Sequence, residues 1–309
     1  MSYHDPVLLQ PSIDYLVQNP SGIYVDVTFG GGGHSRAILE KLDKGGRLVA
    51  FDQDPDSRQN APEDPRFQFV ASNFKNLTRF LQYHQACPVD GILADLGVSS
   101  HQIDTPDRGF SYSREGALDM RMNNQAGTTA KEIVNGYDEA QLSRLFYAYG
   151  ELSEGRRLAK QIVRVRAEQP IETTSQLADI LKPCLPKGKE NKFLSKVFQA
   201  LRIEVNKEME VLESFLMQTA DVLKPEGRLV IIAYHSLEDR LVKNYMRSGN
   251  LTGEVQKDFF GNPLTPFKLV TRKAITPDQT ETLTNPRARS AKLRVAEKII
   301  VTPHEPHNP

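Results

Sequence analysis

One segment near the start of the chain constrains its fold more than any other: an apolar run that leads directly into four consecutive glycines. Residues 23–29 read Ile-Tyr-Val-Asp-Val-Thr-Phe, a composition rich in β-branched and aromatic side chains that is typical of a buried strand. The glycines occupy positions 30–33, and a helical pattern of apolar residues follows over residues 34–42. A strand, a glycine-rich turn and a helix in this order predict the first unit of an open α/β sheet.

The same alternation of strands and helices continues along the chain. Strand-like runs are predicted at residues 47–51, 67–70 and 89–96, and again at residues 227–233, 267–272 and 292–296. Strands that alternate with helices predict a doubly wound parallel sheet with helices on both faces.

Roughly a hundred residues interrupt this alternation. Between Asp104 and Lys207 no convincing strand pattern occurs, whereas helical patterns are found at residues 139–149, 156–168, 175–182 and from residue 192 onward. We therefore predict a discontinuous α/β domain over residues 1–104 and 208–309, interrupted by an all-helical domain over residues 105–207. The proline-rich tail after Val301 is predicted to be disordered.

Composition narrows the class of protein. The 309 residues include only two cysteines, so a disulfide framework is excluded and a reducing, cytoplasmic location is expected. The longest apolar runs are far too short to span a bilayer, so no membrane partner is expected.

Charge is distributed unevenly although the net charge is zero. Residues 156–207 contain twelve Lys/Arg and five Asp/Glu, a net charge of +7, and residues 268–298 contain eight and three, a net charge of +5. Local basic surfaces decide whether phosphates are attracted, so both segments are candidate nucleic-acid contacts. Solvated helix faces explain the same charges equally well.

The glycine-rich turn gains a specific meaning from an acid downstream. Glycines let the backbone turn tightly and approach a ligand at the start of the next helix. Asp52 ends the second predicted strand, 22 residues beyond Gly30, where a carboxylate accepts the hydroxyls of a ribose. The pair predicts an adenosine-containing cofactor. His34 follows the last glycine and departs from the usual nicotinamide pattern, yet a nicotinamide-dependent oxidoreductase stays an alternative.

Further strand ends point into the same crevice, because ligands of open α/β sheets bind outside the carboxyl ends of the strands. Phe74 follows the third strand and is either an aromatic neighbour of adenine or a core residue. Asp95 ends the fourth strand and is either a ligand contact or a turn residue.

A polar cluster follows the strand predicted at residues 227–233. His235 is a candidate acid/base or RNA contact. Ser236, with Asp239 three residues on, has the pattern of a helix N-cap. The histidines and cysteines lack the spacing of metal ligands, so no metal is expected.

Several ordered motifs extend over the chain beyond these features. In chain order they include Asp26-x-Thr28-Phe29-Gly30-x-Gly32-Gly33-His34-Ser35, Asp52-x-Asp54-Pro55, Asp95-Leu96-Gly97-Val98-Ser99-Ser100-x-Gln102-x-Asp104, Leu118-Asp119-Met120-Arg121-Met122 and His235-Ser236-Leu237-Glu238-Asp239-Arg240. These motifs closely resemble those of the RsmH (MraW) family of 16S ribosomal RNA cytosine-N4 methyltransferases, and the resemblance covers nearly the whole chain.

The resemblance implies a Rossmann-like class I methyltransferase sheet with an inserted helical domain that helps recognise RNA. It implies S-adenosyl-L-methionine as the cofactor, and as substrate a specific cytidine in the decoding centre of 16S ribosomal RNA, within the small ribosomal subunit. A non-catalytic ribosome-assembly factor on the same fold is the second alternative. The family's cofactor-binding residues correspond to Gly32, Gly33, His34, Asp52, Phe74, Asp95 and Gln102.

Cytosine presents a specific chemical difficulty for methyl transfer. The lone pair of its exocyclic N4 is delocalised into the ring, so an acceptor that holds an N4 proton would expose the lone pair. Asp95 is the candidate for this role, or a carbonyl of residues 95–98, and His235 is the second candidate catalytic residue. Many amino-methyltransferases have an acid-Pro-Pro-aromatic tetrad at this place, where this chain has Asp-Leu-Gly-Val. The target base must also leave any stack to reach the crevice.

Overall fold

The computed structural model describes residues 6–300, which form two compact units. The first unit contains the described residues up to Gly97 and from Val211 onward, and the second contains Val98–Glu210. The sequence placed the domain boundaries at 104/105 and 207/208, and the assignment of separate functions to the two parts stays a prediction. The tail after Val301, for which disorder is predicted, lies outside the described residues.

A seven-stranded sheet forms the centre of the first unit, in the order β3-β2-β1-β4-β5-β7-β6. Its strands are β1 (Ile23–Asp26), β2 (Arg47–Asp52), β3 (Phe67–Ala71), β4 (Val89–Asp95), β5 (Leu223–Ala233), β6 (Phe267–Leu269) and β7 (Lys292–Lys298). The first five strands are parallel, which confirms the predicted doubly wound α/β sheet. Strand β7 runs antiparallel to both β5 and β6, so the predicted parallel arrangement holds for β1 to β5 and not for the last two strands.

The register of the parallel strands brings their carboxyl ends to one edge of the sheet. Asp52 of β2 pairs with Ala71 of β3, and Asp95 of β4 pairs with Ile232 of β5. The segments that follow these strands therefore emerge side by side. We call this edge the carboxyl edge.

Helices cover the sheet and connect its strands. They are α1 (Leu9–Leu16), α2 (Gly33–Lys41), α3 (Leu77–Tyr83), α11 (Ser236–Ser248) and α12 (Gln279–Thr284), while α10 (Glu208–Val222) runs across the unit boundary into β5. Leu16 of α1, Ile38 of α2 and Leu93 of β4 belong to one fully buried cluster. Burial of such side chains at about 25 cal/mol per Å² is the main stabilising contribution to this unit.

The second unit is helical, as the interrupted alternation predicts. Its helices are α4 (Ser100–Asp104), α5 (Ala130–Gly136), α6 (Glu139–Gly150), α7 (Gly155–Arg166), α8 (Thr174–Leu181) and α9 (Glu190–Asn206). Among the described residues of this unit, Ala117 and Thr173 form an isolated antiparallel β-bridge. The helices enclose their own apolar core, which includes Phe146, Leu158 and Leu201.

Some predicted element ends were wrong. Strand β1 ends at Asp26 and not at residue 29, although the Val27 and Phe29 amides still donate to the carbonyls of Leu93 and Phe51. Among residues 6–300, no helix combines the length and the apolar character that crossing a membrane requires.

Candidate functional site

The turn between β1 and α2 is built from glycines for backbone reasons. Gly30 and Gly32 adopt φ angles of 50° and 76°, a left-handed conformation that side chains disfavour. A Cβ atom on Gly33 would collide with the ring of Pro6. Gly32 is the N-cap of α2 and supplies no side-chain acceptor, so the first turn of this helix is open to a ligand acceptor.

Asp26, the last residue of β1, stabilises the glycine turn. The carboxylate is buried, and its Oδ1 accepts a hydrogen bond from the Thr28 amide at 3.0 Å while its Oδ2 accepts one from the Ser35 hydroxyl at 2.7 Å. Burial raises the pKa of Asp26. These contacts fix the glycine turn on the end of β1, so the Asp-x-Thr motif has a structural role in this loop.

Asp52 is the first acid at the carboxyl edge. Its Oδ2 accepts a hydrogen bond from the Gly30 amide at 2.7 Å, and its Oδ1 accepts one from the Asp54 amide at 2.8 Å. Burial raises its pKa to about 6, although both backbone hydrogen bonds oppose the shift. The side chain is therefore mostly ionised at pH 7, held in one orientation, and each oxygen keeps a lone pair for a further donor.

Asp95 is the second acid at this edge. Its Oδ1 accepts a hydrogen bond from the Tyr234 hydroxyl at 2.7 Å, and its backbone amide donates to Thr28 Oγ1 at 2.7 Å. Burial raises the pKa of Asp95 to about 7, against the effect of the Tyr234 hydrogen bond. Asp95 thus exchanges its proton near physiological pH.

His34 faces the other oxygen of Asp95. Its Nε2 lies 3.2 Å from the Val7 carbonyl oxygen, which only accepts, so we assign the ring proton to Nε2. Burial lowers the pKa of His34, which favours the neutral ring. Its Nδ1 then presents a lone pair 3.7 Å from Asp95 Oδ2. Two acceptors therefore lie next to each other at the carboxyl edge, an arrangement that suits a ligand group with N–H donors.

Phe74 lies at the end of β3 in a single helical turn, Phe74–Asn76. The ring is half-buried and packs edge-on against fully buried Phe215, with ring centroids 5.2 Å apart. One side of Phe74 therefore belongs to the core. Beside it, the Asn73 side-chain amide donates to Gln53 Oε1 at 2.7 Å and ties the end of β3 to the loop after β2.

His235, and not the predicted Ser236, is the N-cap of α11. Its Nδ1 accepts a hydrogen bond from the Glu238 amide at 3.4 Å, and Glu238 Oε2 accepts one from the His235 amide at 3.3 Å. The prediction failed because it paired Ser236 with Asp239, whose carboxylate instead binds Arg294 and Lys292 on β7.

The capping contact leaves the second ring nitrogen of His235 for other use. Because Nδ1 accepts, Nε2 carries the proton. This atom is buried and lies 3.1 Å from Glu238 Oε1, but among the residues that the structure describes no acceptor is aligned for a hydrogen bond with it. This N–H lies near the Glu238 carboxylate without an aligned hydrogen bond, so it is a candidate donor to a ligand.

Gln102 belongs to the second unit, whereas the other predicted site residues belong to the first. It is buried, and its side-chain oxygen accepts a hydrogen bond from the Ser99 amide at 3.1 Å, which completes a capping box at the start of α4. The side chain thus has a structural role, and its predicted contact with the cofactor stays a prediction.

The basic segment of the second unit is one-sided. Helix α7 buries Leu158, Ala159 and Ile162. Its exposed side chains include Arg156, Arg157, Lys160 and Arg164. Arg157 also donates to the Cys184 carbonyl, so this residue is partly structural.

Tyr234 is the contact residue that sequence reasoning missed. It stands next to His235 at the end of β5, a position that marks it for attention. Its hydrogen bond joins residues 139 positions apart in sequence, and no motif spacing reveals such a pair.

The chain matches the MraW methylase family over residues 1–299. It is 57% identical over 297 residues to the ribosomal RNA small subunit methyltransferase H of Bacteroides fragilis (strain YCH46), a match that covers 96% of this chain and 98% of the relative. The enzyme of the same name from Bacteroides thetaiotaomicron is also 57% identical, over 298 residues, with the same coverage. That of Christiangramia forsetii is 55% identical over 299 residues and covers 97% of this chain and 99% of the relative.

Proposed function

Because this chain belongs to the MraW methylase family, we propose that it uses S-adenosyl-L-methionine to methylate the exocyclic N4 of a specific cytidine in the decoding centre of 16S ribosomal RNA. The observation that carries the proposal is the pair of oriented acids at the carboxyl edge, Asp52 beside the glycine turn and Asp95 with one oxygen available. The curated relatives, named ribosomal RNA small subunit methyltransferase H, support ribosomal RNA as the substrate and the small ribosomal subunit as the partner. We place this activity in the cytoplasm.

The chemistry of the carboxyl edge fits S-adenosyl-L-methionine. Asp52 would accept the ribose hydroxyls, Gly32 and Gly33 would let the backbone approach the ligand, and Phe74 would contact the adenine. His34 would receive an N–H donor of the ligand, and Asp95 would face its positive charge. Gln102 completes the set that the family implies.

Asp26 and Asp95 argue against a nicotinamide cofactor, whereas Asp52 fits either cofactor because both contain an adenosine ribose. Asp26 and Asp95 lie at or below the end of the glycine turn. A dinucleotide places an anionic pyrophosphate at this point, and neighbouring carboxylates would repel it. A cationic sulfonium and ammonium are favoured by the same charges.

The bound cofactor supplies a methyl carbon that its positive sulfur makes electrophilic. Asp95 Oδ2 would accept a hydrogen bond from one N4–H of the flipped cytosine, which would localise the N4 lone pair. The lone pair would bond to the methyl carbon while the electrons of the carbon–sulfur bond leave with sulfur. The single proton that N4 then loses would pass to Asp95 or to water. His235 would position the nucleotide through its Nε2–H.

The basic face of α7 would contribute to RNA binding in the second unit. Each phosphate that a Lys or Arg neutralises releases counterions and strengthens binding at low salt. Arg156, Lys160 and Arg164 are exposed and suited to such contacts. The excess positive charge of residues 156–207 would thus serve to bind RNA.

The proposed function is tested in a strain that lacks the gene for this chain. Nucleoside mass spectrometry of its small-subunit RNA should show the loss of one N4-methylcytidine, restored by the wild-type chain but not by Asp52→Ala. Normal N4-methylcytidine in the deletion strain would refute the proposal. Restored subunit assembly by Asp52→Ala without methylation would favour the assembly-factor alternative, and tight NAD binding by the purified chain would favour the oxidoreductase.

A further inference from the structure

Tyr234 holds a fixed position at the carboxyl edge without belonging to the predicted site. Its backbone amide donates to Glu238 Oε2 at 2.9 Å, and its ring packs against the apolar core of the first unit. Its hydroxyl donates to Asp95 Oδ1 at 2.7 Å. Burial, and then the neighbouring Asp95, raise the pKa of Tyr234 well above its ordinary value, so the phenol keeps its proton and acts as a donor.

The hydrogen bond divides the two oxygens of Asp95 between different partners. Oδ1 is occupied by Tyr234, whereas Oδ2 faces the Nδ1 lone pair of His34 at 3.7 Å. Nδ1 cannot donate to Oδ2 while the ring proton sits on Nε2. The orientation of the carboxylate therefore depends on the Tyr234 hydroxyl, and Oδ2 is the oxygen left for a ligand N–H.

The Tyr234 hydroxyl matters for the ionisation of Asp95 because acidic groups surround that carboxylate. The titratable groups that face Asp95 and Tyr234 are His34 on α2, Asp26 on β1, Glu238 on α11 and Glu281 on α12. His34 is favoured as the neutral form and the other three are acids. Repulsion and burial both disfavour ionised Asp95, and the Tyr234 hydroxyl opposes them with a charge-assisted hydrogen bond.

We propose that Tyr234 is a positioning residue for the methylation of N4: its hydroxyl binds Oδ1 of Asp95, holds that carboxylate in the ionised form and reserves Oδ2 for the target amino group. The inference rests on the role of Asp95 in the proposed function. Tyr234 takes no proton and touches no reacting atom, because it acts through Asp95.

The test compares Tyr234→Phe with the wild type and with Tyr245→Phe as a matched control. Tyr234→Phe keeps the ring and removes only the hydroxyl. Tyr245 is likewise a buried tyrosine, but its hydroxyl lies 3.4 Å from Thr219 Oγ1 on α10. Carbon-13 carboxyl shifts of Asp95, followed from pH 5 to pH 9 in the protein without cofactor, give a readout that is independent of activity.

We expect the pKa of Asp95 to rise by about one to two pH units in Tyr234→Phe, since a hydrogen bond to a charged group changes an equilibrium constant by about ten- to hundredfold. The single-turnover methylation rate should move to higher pH by the same interval, and the loss at pH 7 should be recovered near pH 9. Tyr245→Phe should match the wild type in both measurements.

Two outcomes would overturn the inference, and they are distinguishable from each other. If the wild type methylates N4 and Tyr234→Phe leaves the Asp95 titration and the pH–rate profile unchanged, Tyr234 only fills space. If the wild type produces no N4-methylcytidine at any pH, the proposed function fails and the inference fails with it.

Discussion

Replacement of Asp52 by alanine probes the cofactor site most specifically. The carboxylate is held by the Gly30 amide at 2.7 Å and the Asp54 amide at 2.8 Å, so its free lone pairs are preoriented for ribose hydroxyls. Hydrogen bonds to a charged group contribute about 1.5–3 kcal/mol, so Asp52→Ala should weaken cofactor affinity roughly ten- to 150-fold. Two backbone amides also lose their acceptor in this variant, while the removal of a carboxylate whose pKa burial raises to about 6 opposes the resulting loss of stability above pH 6.

The pH dependence of affinity identifies the contribution of Asp52. Its pKa of about 6 means that ligand hydroxyls meet an ionised carboxylate above pH 6 and a protonated one below it. At pH 5 about one-tenth of the side chain is ionised, so affinity should be about tenfold weaker than at pH 7.5. Asp52→Ala should lose this step and keep any step near pH 7 that belongs to Asp95.

Calorimetric titration with S-adenosylhomocysteine, which cannot react, measures these affinities. Asp43→Ala is the matched control, because Asp43 Oδ1 also accepts two backbone amides, those of Gly45 and Gly46, in the turn before β2 at the opposite edge of the sheet. Asp43→Ala should lose stability but not affinity. A correctly folded Asp52→Ala protein that binds within twofold of the wild type, with the same pH dependence, would refute the ribose assignment.

Three further predictions concern stability, RNA and His235. Because burial raises the pKa of Asp95 from 3.8 to about 7, this carboxyl stabilises the folded state at low pH and loses that effect as the pH rises through 7. Urea unfolding should therefore show Asp95→Asn to be more stable than the wild type at pH 8, by at most about 4 kcal/mol, and no more stable near pH 4. The same variant should lose methylation. Equal stabilities at pH 8 would contradict the raised pKa of Asp95. Charge reversal of Arg156, Arg157, Lys160 and Arg164 to Glu should weaken RNA binding and lower its salt dependence without changing cofactor affinity, and unchanged RNA affinity at low salt would make α7 a solvated face. His235→Asn should keep the N-cap, whereas His235→Ala should lose about 1 kcal/mol of stability. Both variants should bind the cofactor normally and slow single-turnover methylation more than tenfold, with an unchanged midpoint of the pH–rate profile. If the variants instead lose an ionisation that controls the rate, His235 is a general base.

The parallel sheet was predictable because β1, β2 and β4 are buried along most of their length and appear as apolar runs. Residues 47–51, 67–70 and 89–96 all correspond to strands of the structure, although the edge strand β3 is only partly buried. Helices α6, α7 and α9 were found because their apolar periodicity extends over three or more turns. Helices α1, α3 and α5 have only seven or eight residues, about two helical turns, and were missed, although α8 also has eight residues and was found. The direction of β7 was not readable, since the apolar pattern of a strand is the same in both directions.

The site was predictable where residues adjoin a strand end. Asp52 and Asp95 could be placed at the carboxyl edge from their positions alone, and the register of the sheet agrees. The hydrogen bonds of Asp95 with Tyr234 and of His34 with Val7 could not be predicted, because these partners reach the site from distant parts of the sequence. The N-cap of α11 was wrongly predicted at Ser236, because Ser236-x-x-Asp239 has the commoner capping residues. In the structure Asp239 forms ion pairs with β7 instead, and His235 is the N-cap.

The most direct test of the account is the position of the transferred methyl group. Small-subunit RNA from the deletion strain is incubated with the purified chain and methyl-labelled S-adenosyl-L-methionine, digested to nucleosides and analysed by mass spectrometry. We predict that the label appears in N4-methylcytidine at one site with the wild type and is absent with Asp95→Asn. Label on a ring carbon, on a ribose or on another base would contradict an edge built to hold the amino group of cytosine.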